Sequence, residues 1–186
     1  MPEHELTALA YAAARGDRDA LTSLIRATQR DLMRFLGPLS STGDVEDLTQ
    51  ETYLRAVRAL PDFAGRSSVR TWLFAIGRRV AADAVRQATR RPRVAVLPDW
   101  QPAADAAASS GHARFEEQHA LNDLLAGLAP ERREAFVATQ LAGLSYAEAA
   151  EVCGCPVGTI RSRVARARED LVAAMRDGRS AGHAAG

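Results

Sequence analysis

Along most of this chain the apolar residues recur at intervals of three and four, the period of an amphipathic helix, while strand-like alternation is weak. The pattern predicts a short alanine-rich helix over 5–14, broken at Gly16-Asp17. A second helix is predicted over 18–36, with Leu21, Leu24, Ile25, Leu32 and Phe35 as its apolar set and Gly37-Pro38 as its end. A third runs over 44–59 and stops before Pro61, and a long fourth covers 68–89. Large apolar residues then become scarce. Residues 91–114 (RPRVAVLPDWQPAADAAASSGHAR) are rich in proline, alanine and serine, which is linker chemistry. Four more helices are predicted over 115–127, 131–141, 145–153 and 157–175. The small, polar tail from Gly178 reads as disordered. The fold class is therefore all-α. It comprises two small helical domains (1–90 and 115–177) joined by a flexible linker (91–114), with a disordered tail over 178–186.

Residues 143–168 (GLSYAEAAEVCGCPVGTIRSRVARAR) predict a helix, a tight turn and a second, arginine-loaded helix. Ser145 and Glu148 have the spacing of a reciprocal N-terminal capping box. Gly154 suits a left-handed C-cap, and Pro156 suits the first turn of the next helix. Val157, Ile160, Val164 and Leu171 form one apolar stripe. Thr159, Ser162, Arg163 and Arg166 fall opposite it, while Arg161 and Arg168 flank it and can snorkel outward. A helix-turn-helix with this face suits the major groove, where arginine bonds guanine bidentately and hydroxyls reach base or phosphate. The bland reading is a helical hairpin with a solvated basic face.

Bulk properties narrow the picture. A hydrophobic content of 47% over 186 residues is enough for one medium domain or two small ones. The formal net charge is only +1, so any nucleic-acid surface must be local. All 24 basic residues are arginine, so their placement says more than their number. Glu3 and Glu5 argue against a signal peptide, and no apolar run reaches the roughly 18 residues of a membrane span. A cytoplasmic protein with no membrane insertion is expected. Cys153 and Cys155 are too close for an unstrained disulfide and lack partners for a zinc site, so they read as buried or turn residues, with a redox switch as the alternative. No metal or cofactor site is expected. His4, His112, His119 and His183 form no constellation with either thiol, which argues against an enzyme.

Two further segments carry chemistry. Over 44–60, Val45, Leu48, Thr52, Tyr53, Ala56, Val57 and Leu60 share one side of the predicted helix. Asp44, Asp47, Gln50, Glu51, Arg55 and Arg58 share the other, with Leu54 in their midst. An exposed leucine ringed by acids fits a docking face and a plain solvated face equally well. Over 66–93, eight arginines (66, 70, 78, 79, 86, 90, 91 and 93) stand against the single acid Asp83, which can pair with Arg79 or Arg86. Val69, Trp72, Leu73, Ile76 and Val80 make the buried stripe. The preceding loop, Phe63 to Ser68, sets an aromatic beside a cation, as a single-stranded base and its phosphate require. Trp72 reads as core, whereas Phe63 fits core and base stacking alike.

Taken together, DVEDLTQETYLRA, SSVRTWLFAIGRRVAADAVR and LSYAEAAEVCGCPVGTIRSRVARAR resemble, in order and spacing, the extracytoplasmic-function class of bacterial RNA polymerase sigma factors. The resemblance spans residues 5–175. It implies a factor that binds core RNA polymerase, recognises the minus-thirty-five and minus-ten elements of promoter DNA, and assists strand opening. It implies polymerase docking through Asp47, Gln50, Glu51 and Leu54. It implies single-strand contacts at the minus-ten element by Phe63, Arg66, Ser67, Ser68, Arg78, Arg79, Asp83 and Arg86. It implies minus-thirty-five duplex contacts by Thr159, Arg161, Ser162, Arg163 and Arg166. Arg79 stands where many relatives carry asparagine, so their base preference does not transfer. The family adds an anti-sigma factor as a candidate partner, which no residue here identifies. The principal rival is a stand-alone helix-turn-helix transcriptional regulator, which would leave the acidic helix and the Phe63–Ser68 loop without a purpose. An RNA-binding antiterminator is a weaker one.

Overall fold

The structure, a computed structural model, describes residues 1–40, 45–90 and 120–183, and the predicted linker over 91–114 lies outside them. Among the described residues there are eight α-helices and no strand. In order they are α1 (Glu3–Ala14), α2 (Arg18–Leu36), α3 (Val45–Ala59), α4 (Val69–Arg90), α5 (120–126), α6 (Pro130–Phe136), α7 (Tyr146–Cys153) and α8 (Val157–His183). Short 3-10 turns follow α2 (Gly37–Leu39) and α3 (Leu60–Asp62), and a π turn (Val137–Leu141) prolongs α6.

Local chemistry explains most of the boundaries. Asp17 caps α2, its carboxylate accepting from the amides of Asp19 (3.0 Å) and Ala20 (2.9 Å). Ala20, Leu24, Thr28, Leu32 and Phe35 are buried at spacings of three and four, which fixes the inward face of α2. That face meets α3 and α4. Phe35 stacks on Phe74 with centroids 4.8 Å apart, and Thr28 Oγ1 lies 2.8 Å from Tyr53 Oη. Gly77 permits this approach, since a Cβ there would sit 3.1 Å from Leu32 and 3.3 Å from Leu36. α1 lies across α2 and the start of α4, with Leu6, Ala10, Leu24, Leu60, Phe63 and Val69 buried in a smaller cluster.

In the second half the predicted capping box is present: Ser145 Oγ accepts from the amide of Glu148 (3.2 Å), and the Glu148 carboxylate accepts from the amide of Ser145 (2.9 Å). Gly154 ends α7 at φ 64° and ψ 40°, the left-handed cap expected of it. Pro156 stands one residue ahead of α8 rather than in its first turn, and its carbonyl accepts from Thr159 and Ile160. Ile160 and Val164 are buried as predicted and Ala167 joins them, but Val157 is exposed, because the helix reaches the core only a turn later. α8 also continues through Gly178 to His183, where a disordered tail was expected. No proline follows to stop it, and the glycine penalty of about 1 kcal/mol does not break a helix already propagating.

The two halves are in contact. Their buried side chains form one cluster that runs from Leu32, Leu36 and Leu73 to Leu125, Val137 and Ile160. α4 lies against α7, while α2 and the Gly37–Leu39 turn meet the π turn and α6.

Candidate nucleic-acid interface and docking face

α3 presents the acidic face that the helical wheel defined. Asp47, Gln50 and Leu54 are exposed, and Leu54 retains 49% of its surface. Glu51 is half-buried and accepts from Arg55 Nε at 2.7 Å. Val57, read as part of the buried side, is instead 41% exposed. It lies three residues beyond Leu54 and widens the apolar patch on a helix whose buried residues are Leu48, Thr49, Thr52 and Ala56. Arg55 also donates to Asp83 across to α4 (2.8 Å), so the acidic face is tied rigidly to the arginine-rich helix.

The loop before α4 encloses a pocket of about 230 Å³ lined by Asp62, Phe63, Ala64, Gly65, Arg66, Ser67 and Trp72. The structure decides the open question about Phe63. Only 7% of it is exposed, and it is held between Tyr11 (centroids 5.8 Å apart) and Trp72 (5.1 Å). It is a core residue whose edge forms a pocket wall, not a free stacking platform. Arg66 is exposed at the rim, and Ser67 and Ser68 are half-buried. Ser68 immediately precedes α4, its hydroxyl accepting from the amide of Thr71 (3.1 Å).

Along α4 the cations divide. Arg79 and Arg86 are exposed on one side, with Arg86 Nη2 2.5 Å from Asp83. The sequence left Asp83 a choice of Arg79 or Arg86, and it takes Arg86 and the unforeseen Arg55. The bonds from Arg55 and then Arg86 hold its carboxyl below the usual value. Arg78 is turned to the second half, its Nε 2.8 Å from Glu134 of α6. Arg70 also crosses the boundary, donating to the carbonyl of Ala142 (3.1 Å) and pairing with Asp31 (3.1 Å). Glu148 Oε1 accepts from Ser68 Oγ and Thr71 Oγ1, both at 3.4 Å. Burial pushes its carboxyl up, but the bonds from Ser145, Thr71 and Ser68 outweigh burial and hold it low.

On α8, Arg161, Ser162 and Arg166 are exposed and Thr159 is half-buried. Arg163 is half-buried, with Nη1 3.7 Å from Cys155 Sγ. Arg168 donates to Gln140 (2.9 Å). Cys153 is buried, and desolvation pushes its thiol up to about 11, which keeps it protonated and unreactive at neutral pH. Among the described residues no group of three or more His, Cys, Asp or Glu is placed to hold a metal, and no helix is long and apolar enough to cross a membrane.

Sequence reasoning missed Glu3, Tyr11, Glu134 and the outward contact of Glu148. Glu3 Oε1 accepts from the amide of Val69 at 2.5 Å, and Tyr11 covers Phe63 and Gly65. Only the Glu148 capping role had a local signal.

Comparison with known proteins identifies the family. Residues 24–91 match the family described as Sigma-70 region 2, and residues 118–171 match Sigma-70, region 4. The chain is 51% identical over 172 residues to the probable RNA polymerase sigma-C factor of Mycobacterium bovis, covering 92% of this chain and 91% of that one. It is 36% identical over 158 residues to the ECF RNA polymerase sigma factor EcfG of Rhodopseudomonas palustris, covering 84% and 86%. Its fold is similar to CnrH, solved in complex with the cytosolic domain of CnrY (TM-score 0.72, 29% identity, 91% of this chain and 96% of that one). It is also similar to the sigma factor RpoE of Bartonella quintana, solved with the anti-sigma factor NepR (TM-score 0.65, 28% identity, 83% and 96%). The chain belongs to the extracytoplasmic-function family of RNA polymerase sigma factors and acts in transcription initiation.

Proposed function

We propose that this sigma factor docks on core polymerase through Asp47, Gln50, Glu51 and Leu54, captures an unpaired minus-ten base in the Phe63–Ser68 loop, and reads the minus-thirty-five duplex with α8. The observation that carries this reading is the pocket ahead of α4. It has aromatic walls in Phe63 and Trp72, a cation at its rim in Arg66, and the acceptor Asp62 beside them. A flipped base needs such a set: apolar walls to lie against, polar groups for its edge, and a cation for its phosphate. Arg79 and Arg86 continue the phosphate track along α4. Arg161, Ser162 and Arg166 point away from the core of the second half, as major-groove contacts must.

The reading also requires a movement. With Glu148 of α7 against Ser68 and Thr71, the helix-turn-helix adjoins the loop. Elements centred near positions minus ten and minus thirty-five lie about 25 base pairs apart, roughly 85 Å of duplex at 3.4 Å per pair. One closed unit does not span them. The predicted linker over 91–114 has 24 residues, which allow a reach of at most about 85 Å, so separated halves can. We infer that the halves part when the factor engages polymerase and promoter, which frees Ser68 and Arg78. An anti-sigma protein is proposed as a further partner, since the similar sigma factor RpoE was solved with the anti-sigma factor NepR bound.

Run-off transcription with purified core polymerase on a genomic promoter library tests the reading. Initiation at defined sites only when this chain is added supports it. A gel shift showing tight duplex binding without core would favour the stand-alone regulator instead.

A further inference from the structure

The region 2 match begins at residue 24, so α1 (Glu3–Ala14) lies outside it. Yet α1 touches both ends of the loop that forms the pocket. At the far end, Glu3 Oε1 accepts from the amide of Val69, the first residue of α4, which has no partner within its own helix. Ser68 serves the amide of Thr71 from the other side, so two of the free amides at this helix start are held by carboxylate and hydroxyl. At the near end, the Tyr11 ring lies against Phe63, and its hydroxyl sits over Gly65. Gly65 has φ +65°, and a Cβ built there would collide with that hydroxyl. Two constraints therefore favour glycine, and one of them comes from α1. Leu6 and Ala10, on the same side of α1, are buried against Phe63 and Val69 and fix the helix in place.

We propose that α1 is the positioning element of the base pocket, with Glu3 and Tyr11 as its positioning residues. Neither lines the pocket. Each fixes a residue at one end of it, Glu3 at Val69 and Tyr11 at Phe63 and Gly65, so that the segment between is ordered before a base arrives. A loop held at both ends loses less conformational freedom on binding than a free one, and preorganisation of this kind strengthens binding without adding a contact to the ligand. The inference rests on the reading of the pocket as a base site.

The test crosses protein variants with base deletion. Holoenzyme, formed from core polymerase and the full chain, is titrated with a fluorescent single-stranded minus-ten oligonucleotide and with copies made abasic at each position in turn. Wild type should lose affinity at one position. Glu3→Ala and Tyr11→Ala should weaken the intact strand by about five- to tenfold, the effect of losing a helix cap, and leave the strand abasic at that position unchanged. Glu3→Gln, which keeps an acceptor oxygen, and Tyr11→Phe, which keeps the ring, should restore most of the loss. If wild type shows no abasic-sensitive position, the base-pocket reading falls. If it shows one and the alanine variants keep full base dependence, the role of α1 falls alone. An equal loss on intact and abasic strands would make α1 merely structural and overturn the proposal.

Discussion

Removing the carboxylate of Glu134 should increase the DNA affinity of the free factor. Arg78 Nε and Glu134 Oε2 are 2.8 Å apart, and their side chains retain 28% and 18% of their surface. A hydrogen bond to a charged group contributes about 1.5–3 kcal/mol when well buried, and an exposed ion pair contributes below about 1 kcal/mol. For a pair this accessible the value lies between, at about 1–2 kcal/mol. The freed Arg78 can be rehydrated, so little penalty for an abandoned charge is added. Glu134→Ala should then shift the balance of closed and parted halves by about 5- to 30-fold. If the closed form predominates, apparent affinity follows the competent fraction, and binding of a forked minus-ten probe tightens by the same factor. Fluorescence anisotropy without polymerase measures this. Loss of one negative charge would by itself favour DNA, so Glu131→Ala, an exposed acid on the same helix, is the control. Equal affinities for Glu134→Ala and Glu131→Ala would refute the idea that this bridge restrains the halves.

Reversing charge with Asp47→Arg and Glu51→Arg should abolish core binding in a pull-down while the circular dichroism melt shows both halves folded, and a retained complex would remove the docking assignment. Arg166→Ala should cost about 1–3 kcal/mol of promoter discrimination in competition binding if it reads a base, whereas a uniform loss across sequences would make it a phosphate contact. Asp83 has a folded pKa below its unfolded one, so its pairing stabilises the fold above the unfolded carboxylate value of about 3.9 and is lost as pH falls through the lower folded value. The Tm difference between wild type and Asp83→Asn should accordingly be largest near neutral pH and shrink on acidification through that window; a pH-independent difference would mean that packing, not charge, is involved. Cys153→Ala with Cys155→Ser should leave run-off transcription intact, and loss of activity would revive a redox role.

What the sequence disclosed depended on how far apart the interacting groups are. The bounds of α2, the Ser145–Glu148 box and the Gly154 cap involve neighbours within four residues, and the local pattern located all of them. The acidic face of α3 was legible because helical period alone decides which side chains share a surface. Phe63 was undecidable from its neighbours, since Leu6, Tyr11 and Val69, which bury it, come from other elements. The pairs Arg78–Glu134 and Val69–Glu3 are 56 and 66 positions apart. No periodicity relates them; only the folded arrangement that sets α4 against α1 and against the second half does. Val157 and Val57 were misplaced for a related reason. Both fit the apolar period, but period alone does not say how much of a helix its neighbours cover, and both side chains are exposed.

Those distant pairs bear on how a sigma factor of near-zero net charge handles its cations. Arg78 and Arg55 of the chain face internal carboxylates, and Ser68 and Thr71, at the start of the arginine-rich helix, face Glu148. If Arg78 and Ser68 contact the minus-ten strand as proposed, an internal acid in the closed arrangement stands in the place of that strand. Exposed Arg79, Arg161 and Arg166 remain accessible, but the proposed contacts through Arg78 and Ser68 would have to displace a carboxylate already in place. On this reading core polymerase need not supply new cationic contacts to make the factor bind promoters. It would be enough that the proposed docking on α3 favours the parted form. The acids that brace the closed fold would then also weaken minus-ten contacts by the free factor.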